Sequence, residues 1–192
     1  NTVTGNAQDG VVVSGTMSSN TTWSSDEVYV ANGIITVDQG VTLTISPGVV
    51  IKSKVATSPV GMVINGTLIA DGTVSEPIIF TSERDDSVGG DTNGDGSATI
   101  PLPGNWKGIH LTATSTGSVL DYVEIRYGGR QNSSAYDANL YIETLTALTV
   151  SNSVIRDSQY YGIRVSGSSP TLTNNTVKKN SYGIYLGNSS PA

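Results

Sequence analysis

The sequence lacks cysteine altogether in its 192 residues and contains a single histidine, His110. Without cysteine, disulfides, thiolate metal sites and cysteine nucleophiles are excluded. One histidine among many serines specifies no Ser-His-Asp arrangement. Cysteine-free chains are common among secreted prokaryotic proteins, so the composition is compatible with an extracellular setting.

Charged residues are scarce, at 14%, and there is no long hydrophobic run that would predict a membrane-spanning segment. The net charge of −6 argues against nucleic acid as a partner. Residues 1–106 contain three basic and eleven acidic side chains, a net charge of −8, whereas residues 107–192 contain seven and five, a net charge of +2. If the chain folds in sequence order along an axis, it has an acidic end and a mildly basic end.

Short β-forming runs separated by Gly, Asn, Pro and Ser fill the chain, and two of them repeat. Tyr161-Gly162-Ile163 recurs as Tyr182-Gly183-Ile184, an offset of 21, and Asn152 recurs as Asn175, an offset of 23. A period in the low twenties with strands this short is typical of a β-solenoid, in which each repeat forms one coil. Asn152 is expected to stack on Asn174 or Asn175 at a coil corner, where Asn tolerates left-handed backbone geometry.

Matching strands give the number of coils. The positions that open similar strands are Ile34, Met62, Ile109, Leu140, Ile163 and Ile184. We predict an all-β fold, a right-handed parallel β-helix of about six coils, as a single domain over residues 1–192. Residues 1–30 are expected to cap one end or to donate a strand around Val11–Val13 to a neighbour, residues 82–107 to form an acidic loop insertion, and residues 108–192 to form regular coils.

The N-terminal half carries a family resemblance. The stretch from Trp23 through Tyr29 to Ile51, followed by the segments at 65–72, 76–82 and 104–109, resembles secreted right-handed parallel β-helix proteins of the pectin-lyase-like superfamily. The resemblance implies a secreted or cell-surface protein. It implies no single activity, because the superfamily includes lyases, hydrolases, adhesins and structural modules.

The acidic insertion contains the sharpest motif, Asp91-Thr-Asn93-Gly-Asp95-Gly-Ser97. It matches the first half of a calcium-binding loop, in which alternating side-chain oxygens converge on a hard cation. No EF-hand follows, because the position of its last glutamate is Leu102 and prolines flank it. The predicted structural Ca²⁺ ligands are Asp85, Asp86, Asp91, Asn93, Asp95 and Ser97. The alternative is an Asx-rich turn without metal.

Catalytic motifs are weak. None of the five arginines lies in a lyase motif known from the superfamily, and no Gly-His-Gly surrounds His110. We expect His110 to be an ordinary outward-facing strand residue and the protein not to be an enzyme. A polysaccharide lyase or hydrolase is the least supported of three functions considered.

Eight of the nine tyrosines lie between Tyr122 and Tyr185. Stacked coils could align Tyr141, Tyr161, Tyr182 and Tyr185 as a ladder that contacts sugar rings or a partner, although such stacking also simply stabilises a solenoid. Five Asn-x-Ser/Thr sequons could accept N-glycans, and several are expected by chance in this composition. They are Asn20, Asn65, Asn132, Asn174 and Asn188.

The leading functional prediction comes from the ends of the solenoid. The last coil, around Tyr182–Leu186, is regular and no amphipathic capping helix follows it, so we expect a neighbour to cover it. The predicted function is a non-enzymatic secreted structural module of a cell surface or extracellular filament, assembling head-to-tail with itself or with the remainder of a longer surface protein. The alternative is a carbohydrate-binding or adhesion module.

Overall fold

A computed structural model of the chain describes residues 5–6, 9–56, 60–130, 137–143, 148–189 and 191. These residues form strands, turns and loops, and no helix among them is long and apolar enough to cross a membrane. The strands are β1 (Val11–Met17), β2 (Thr21–Trp23), β3 (Val28–Val37), β4 (Thr42–Ile45), β5 (Val50–Ser53), β6 (Gly61–Ile64), β7 (Thr67–Asp71), β8 (Ile78–Ser82), β9 (Ile109–Leu111), β10 (Val119–Asp121), β11 (Val123–Arg126), β12 (Ala138–Ile142), β13 (Thr149–Ser151), β14 (Val154–Arg156), β15 (Tyr161–Ser166), β16 (Thr171–Thr173), β17 (Thr176–Lys178) and β18 (Tyr182–Gly187).

These strands form three parallel faces around one axis. The first face consists of β2, β4, β7, β10, β13 and β16 in sequence order, which is one strand for each of six coils in the described residues. The second face runs from the first half of β3 through β5, β8, β11 and β14 to β17, and the third runs from the second half of β3 through β6, β9, β12 and β15 to β18. The prediction of a right-handed parallel β-helix of about six coils is confirmed.

The core lies inside the coils because alternate side chains of each short strand point inward. One of the inward columns on the third face is Ile35, Met62, Ile109, Leu140, Ile163 and Ile184. The sequence-based alignment of these positions is correct for five of the six. It is wrong by one residue at Ile34, which pairs with Gly61, whereas the fully buried Ile35 pairs with Met62. A slip of one residue reverses the face that a strand residue occupies.

Asparagine side chains tie successive coils together at the corners. Asn174 Nδ2 donates to Asn152 Oδ1 at 3.3 Å, and both residues have positive φ angles, so the predicted corner stack is confirmed with Asn174 as the partner. Asn175 and Asn180 reach back to the preceding coil, where each amide donates to one backbone carbonyl and accepts from one backbone N–H. These bonds satisfy backbone groups that a short strand leaves over at each turn.

The N-terminal end of the solenoid is closed by its own residues. Strand β1 runs parallel to β3 and pairs with both of its halves, from Val11 beside Tyr29 to Met17 beside Val37. Trp23 is buried and stacks on Tyr29, with ring centroids 4.7 Å apart. Residues 11–13, which the sequence suggested could be donated to a neighbour, are therefore hydrogen-bonded within their own chain here.

The long insertion lies between the end of β8 at Ser82 and the start of β9 at Ile109. It folds back over the outer side of the second face, where a Cβ built on Gly89 would meet Val28, Val50 and Lys52 within 3.4 Å. A strand that would otherwise present a lysine to water is thereby covered.

Candidate functional site

The acidic insertion brings three carboxylates together. One oxygen each of Asp86, Asp91 and Asp95 lies within 4.8 Å of the others. Asp91 accepts hydrogen bonds from the backbone N–H groups of Asp95, at 3.2 Å, and Gly96, at 2.7 Å, which fixes the turn. Oxygen donors that converge in this way match the preference of Ca²⁺ for hard ligands.

The electrostatics of this cluster are unfavourable at Asp86. Partial burial, together with the negative charges of Asp91 and Asp95, raises the pKa of the Asp86 carboxyl, and the positive charge of Lys52 offsets only part of this effect. Hydrogen bonds, chiefly from the Thr99 hydroxyl, lower the pKa of Asp95 instead. The cluster therefore contains one carboxylate that gains from a nearby cation beyond those that the protein supplies.

Two side-chain oxygens at this cluster are buried and have no hydrogen-bond partner in the described residues, namely Oδ1 of Asp86 and Oδ1 of Asn93. Buried polar atoms are nearly always paired with protein, water or an ion. Asn93 belongs to the same group, because its Nδ2 donates to Asp95 Oδ2 at 2.8 Å. The donor set of three carboxylates and one amide oxygen fits a Ca²⁺ ion.

The structure separates the other two predicted ligands from this cluster. Asp85 is buried and forms an ion pair with Arg126 at 2.5 Å, and hydrogen bonds from Ser87 and Thr81 together with the Arg126 charge lower its pKa although burial alone would raise it. Ser97 is exposed and contributes its backbone N–H to Asp95 Oδ1 at 3.0 Å. The predicted ligand shell thus reduces to Asp86, Asp91, Asn93 and Asp95.

Two cationic side chains lie beneath the insertion, and neither is among the site residues that the sequence predicts. Lys52 is fully buried and its ammonium donates to the carbonyl of Gly90, and burial lowers its pKa. Arg126 is buried as well and binds Asp85 and Glu124. Their strand alternation places both on the outer side of the second face, where the sequence predicts solvent. Only the packing of a distant loop buries them, and no local sequence signal reports that.

The tyrosines fall into two adjacent columns on the outer side of the third face. Tyr161 pairs with Tyr182 in register, as the repeat predicts, and their ring centroids are 5.5 Å apart. Tyr185 belongs to the neighbouring column, yet its ring lies 5.0 Å from that of Tyr161. Tyr182 and Tyr185 are 54% and 42% exposed, so this corner presents aromatic surface to solvent.

Tyr141 differs from the expectation for a contact residue, because it is buried. Its ring stacks on His110 at 4.5 Å, and the Arg164 guanidinium lies 4.7 Å from its centroid on the next coil. His110 occupies an outward position, as expected, but it is covered and its Nε2 lies 3.0 Å from Glu143 Oε2. Burial lowers the pKa of His110, although its hydrogen bond to the Glu143 carboxylate acts in the opposite direction.

The last coil is the most exposed part of the apolar columns. Ile184 and Leu186 are 48% and 47% exposed, whereas Ile163 and Val165, their neighbours one coil earlier, are fully buried. Leu172 and Val177 on the other two faces are only partly buried. Inward-facing core positions therefore form an apolar surface at this end.

The sequons occupy different environments. Asn20 and Asn188 are exposed, although Asn20 Oδ1 accepts a hydrogen bond from the Thr42 backbone N–H at 2.9 Å. Asn65 and Asn174 use their side chains between coils, with Thr112 and Asn152 respectively. Asn132 lies outside the described residues. Exposed Asn188 and Asn20 are thus the more accessible acceptors.

The family profile described as pectate-lyase-like β-helix domain matches residues 15–142. This range covers β2 to β12, the insertion and the last three residues of β1, and it agrees with the three-faced parallel solenoid. No curated protein and no solved structure matches the chain. The chain belongs to the pectate-lyase-like β-helix domain family.

Proposed function

We propose that this chain is a non-enzymatic structural module of an extracellular assembly, at a cell surface or in a filament, and that it joins its neighbours through its last coil. The observation that supports the proposal is the exposure of core-column residues at that coil. Tyr182, Ile184, Tyr185 and Leu186 are all between 42% and 54% exposed. Contiguous apolar surface of this kind marks interaction sites in soluble proteins.

The backbone of the last coil supports the same conclusion. Strands β16, β17 and β18 each pair with the preceding coil on one side only in the described residues. Their other edges offer N–H and C=O groups to any strand that continues the stack. An end-to-end contact uses two different surfaces, so it propagates into a filament unless it closes.

The test is the association state of the purified chain. Sedimentation velocity and negative-stain microscopy are expected to show linear oligomers that grow with protein concentration. An Ile184→Asp plus Leu186→Asp variant should remain folded and shift to monomer. The matched control is Val74→Asp plus Ile100→Asp, which alters two apolar residues at least 65% exposed elsewhere on the surface. A native chain that stays monomeric at all concentrations contradicts the proposal.

The acidic insertion supports a structural Ca²⁺ site within this function, held by Asp86, Asp91, Asn93 and Asp95. Calcium is expected to raise the melting temperature and a chelator to lower it, because a cation bound only to the folded state stabilises it by mass action. Asp86→Asn should abolish the response, whereas the control Asp71→Asn, which changes an exposed aspartate outside the cluster, should retain it. An equal melting temperature with calcium and with chelator contradicts the site.

A second candidate function is glycan binding at the tyrosine corner. The exposed rings of Tyr182 and Tyr185 beside Tyr161 form an aromatic surface of the kind that stacks on sugar rings. Isothermal titration with acidic and neutral polysaccharides tests it. Binding should be lost in Tyr161→Ala plus Tyr182→Ala and kept in Tyr122→Ala, a tyrosine on another side of the coil. Unsaturated or reducing-end products from pectin or alginate would instead favour an enzyme.

A further inference from the structure

The strands of this solenoid are stacked in continuous columns, and the columns run through both ends. One outward column of the third face is Thr16, Thr36, Val63, His110, Tyr141, Arg164 and Tyr185. One outward column of the second face starts with Val12, Val30 and Lys52, and its last two members are Arg156 and Lys178. The first strand and the last coil therefore occupy equivalent positions around the axis.

The first strand has a free edge. Strand β1 pairs only with β3 among the described residues, and its central residues Val12, Ser14, Gly15 and Thr16 are exposed. Its inward residues Val11, Val13 and Met17 already pack against the core. Strand β1 therefore leaves one backbone edge open at the first end of the solenoid, as β18 does at the other end. These inward apolar side chains of β1 point toward the axis.

The two ends have opposite charges. Residues 9–40 contain four acidic side chains and no basic one, namely Asp9, Asp26, Glu27 and Asp38. Residues 166–189 contain two basic side chains, Lys178 and Lys179, and no acidic one. Opposite charges steer two ends together and disfavour contacts between like ends.

We infer that the partner of the last coil is strand β1 of a second copy of this chain, seated in the same register as a further coil. In this register Val12 of the second copy lies beside Lys178, Thr16 beside Tyr185 and Met17 over Leu186. The inference rests on the proposed end-to-end function and specifies its partner. Each junction buries the exposed Ile184 and Leu186 side chains and adds a parallel ladder between β1 and the pair β17 and β18.

The absence of cysteine allows a direct test of this register. Two double variants place cysteines in matched positions, Val12→Cys plus Lys178→Cys and Thr16→Cys plus Tyr185→Cys. Adjacent parallel strands lie about 4.8 Å apart, within the Cα separation that a disulfide spans. Oxidation should convert both variants into covalent ladders on non-reducing gels.

The control uses the same four cysteines in exchanged combinations, Val12→Cys plus Tyr185→Cys and Thr16→Cys plus Lys178→Cys. Val12 and Thr16 are four residues apart on β1, roughly 13 Å along a strand, so the exchanged pairs are out of reach in the inferred register. They should form at most a small fraction of the matched ladders. Equal cross-linking in matched and exchanged pairs overturns the inference, because it indicates random collision or another register.

A charge variant gives an independent readout that needs no cysteine. Lys178→Glu plus Lys179→Glu should weaken association at least tenfold at low salt, with a smaller effect at high salt. Lys54→Glu, in the second coil, should leave it unchanged. If filaments persist in the charge variant, or if wild-type-like filaments give no cross-links in the matched cysteine pairs, the inferred partner is wrong. The proposed end-to-end function is then unaffected. A chain that is monomeric under all conditions overturns both, and indicates that a different segment covers the last coil.

Discussion

The two ends of the solenoid contain the same columns of residues, but the core is covered to different extents. At the first coil, Trp23 stacks on Tyr29 and β1 covers the edge of β3, so the core there is closed by the chain itself. At the last coil, Ile184 and Leu186 occupy equivalent core columns and remain about half exposed. The same strand pattern therefore has a covered core at one end and a half-exposed core at the other.

This difference teaches that position along the axis, rather than residue type, decides what a core residue contributes. Ile163 and Ile184 are neighbours in one column, yet only Ile163 is covered on both sides. In a solenoid each coil contacts only its neighbours, so a residue at an uncovered end gains about half of the burial energy that an interior residue gains.

The largest effect is expected from opening the sealed end. Trp23→Ala removes a buried ring that stacks on Tyr29, and such changes cost about 3–5 kcal/mol. Urea denaturation should show this loss in the free energy of unfolding. The coils next to Trp23 should be the first to lose hydrogen-exchange protection. Tyr182→Ala at the other end is the control and should change stability by less than about 1 kcal/mol. Equal losses would show that the two ends are finished alike.

A matched pair within one column tests the role of position most directly. Ile163→Ala should cost about 2–5 kcal/mol, because the side chain is fully buried. Ile184→Ala makes the same chemical change one coil later, where the side chain is 48% exposed, and should cost about half as much or less in the monomer. The measurement is denaturation at low protein concentration. If the cost at Ile184 rises with concentration, the last coil is covered by association.

Corner amides give a smaller contrast. Asn139 is fully buried and its side chain bonds the backbone of Ile125, Gly128 and Arg156, so Asn139→Ala should cost about 2–3 kcal/mol. Asn180 makes two such bonds at the last coil but is partly exposed, and water can replace its amide. Asn180→Ala should therefore cost about 1 kcal/mol in the same denaturation assay. A larger loss at Asn180 than at Asn139 would contradict the contrast between interior and end.

The smallest effect concerns the acidic insertion in the middle of the axis and depends on pH. Because the folded-state pKa of Asp86 is raised, its contribution favours the folded state at low pH and is lost as the pH rises above about 4, through the unfolded and then the folded pKa. In metal-free buffer at pH 7, Asp86→Asn should consequently raise the melting temperature by a few degrees. On acidification toward pH 4, the melting temperature of the wild type should rise relative to that of the variant. If Asp86→Asn instead melts at a lower temperature than the wild type in metal-free buffer, charge repulsion at Asp86 is contradicted.

Much of the fold is readable from local pattern. The alternation of Val, Ile and Leu with Thr fixes which strand residues face inward, and the spacing of Tyr161 and Tyr182 reports the coil length. The register at β3 is not readable in this way. Ile34 and Ile35 are adjacent and chemically identical, and only the bend at Gly33, with φ of 125°, decides which one enters the core.

The candidate sites were predicted unevenly for a related reason. Asp91 and Asp95 are close in sequence, so a motif detects their convergence, whereas Asp86 joins them through the path of the loop. Asp85 was expected to share the metal, but Arg126, which lies 41 positions later, holds it instead. Tyr141 is a similar case, because its burial depends on His110 and Arg164 in the coils on either side.

By itself, the sequence determined that the chain is a cysteine-free, all-β solenoid with an acidic insertion and opposite charges at its two ends. These properties follow from composition and from period-two alternation, which are local. Only the tertiary structure decided that Lys52 is buried beneath the insertion, that β1 seals its own first coil, and that Ile184 is exposed while Ile163 is not. Burial depends on which distant segment lies against a residue, and that is fixed by the stacking of coils and the path of the loops between them.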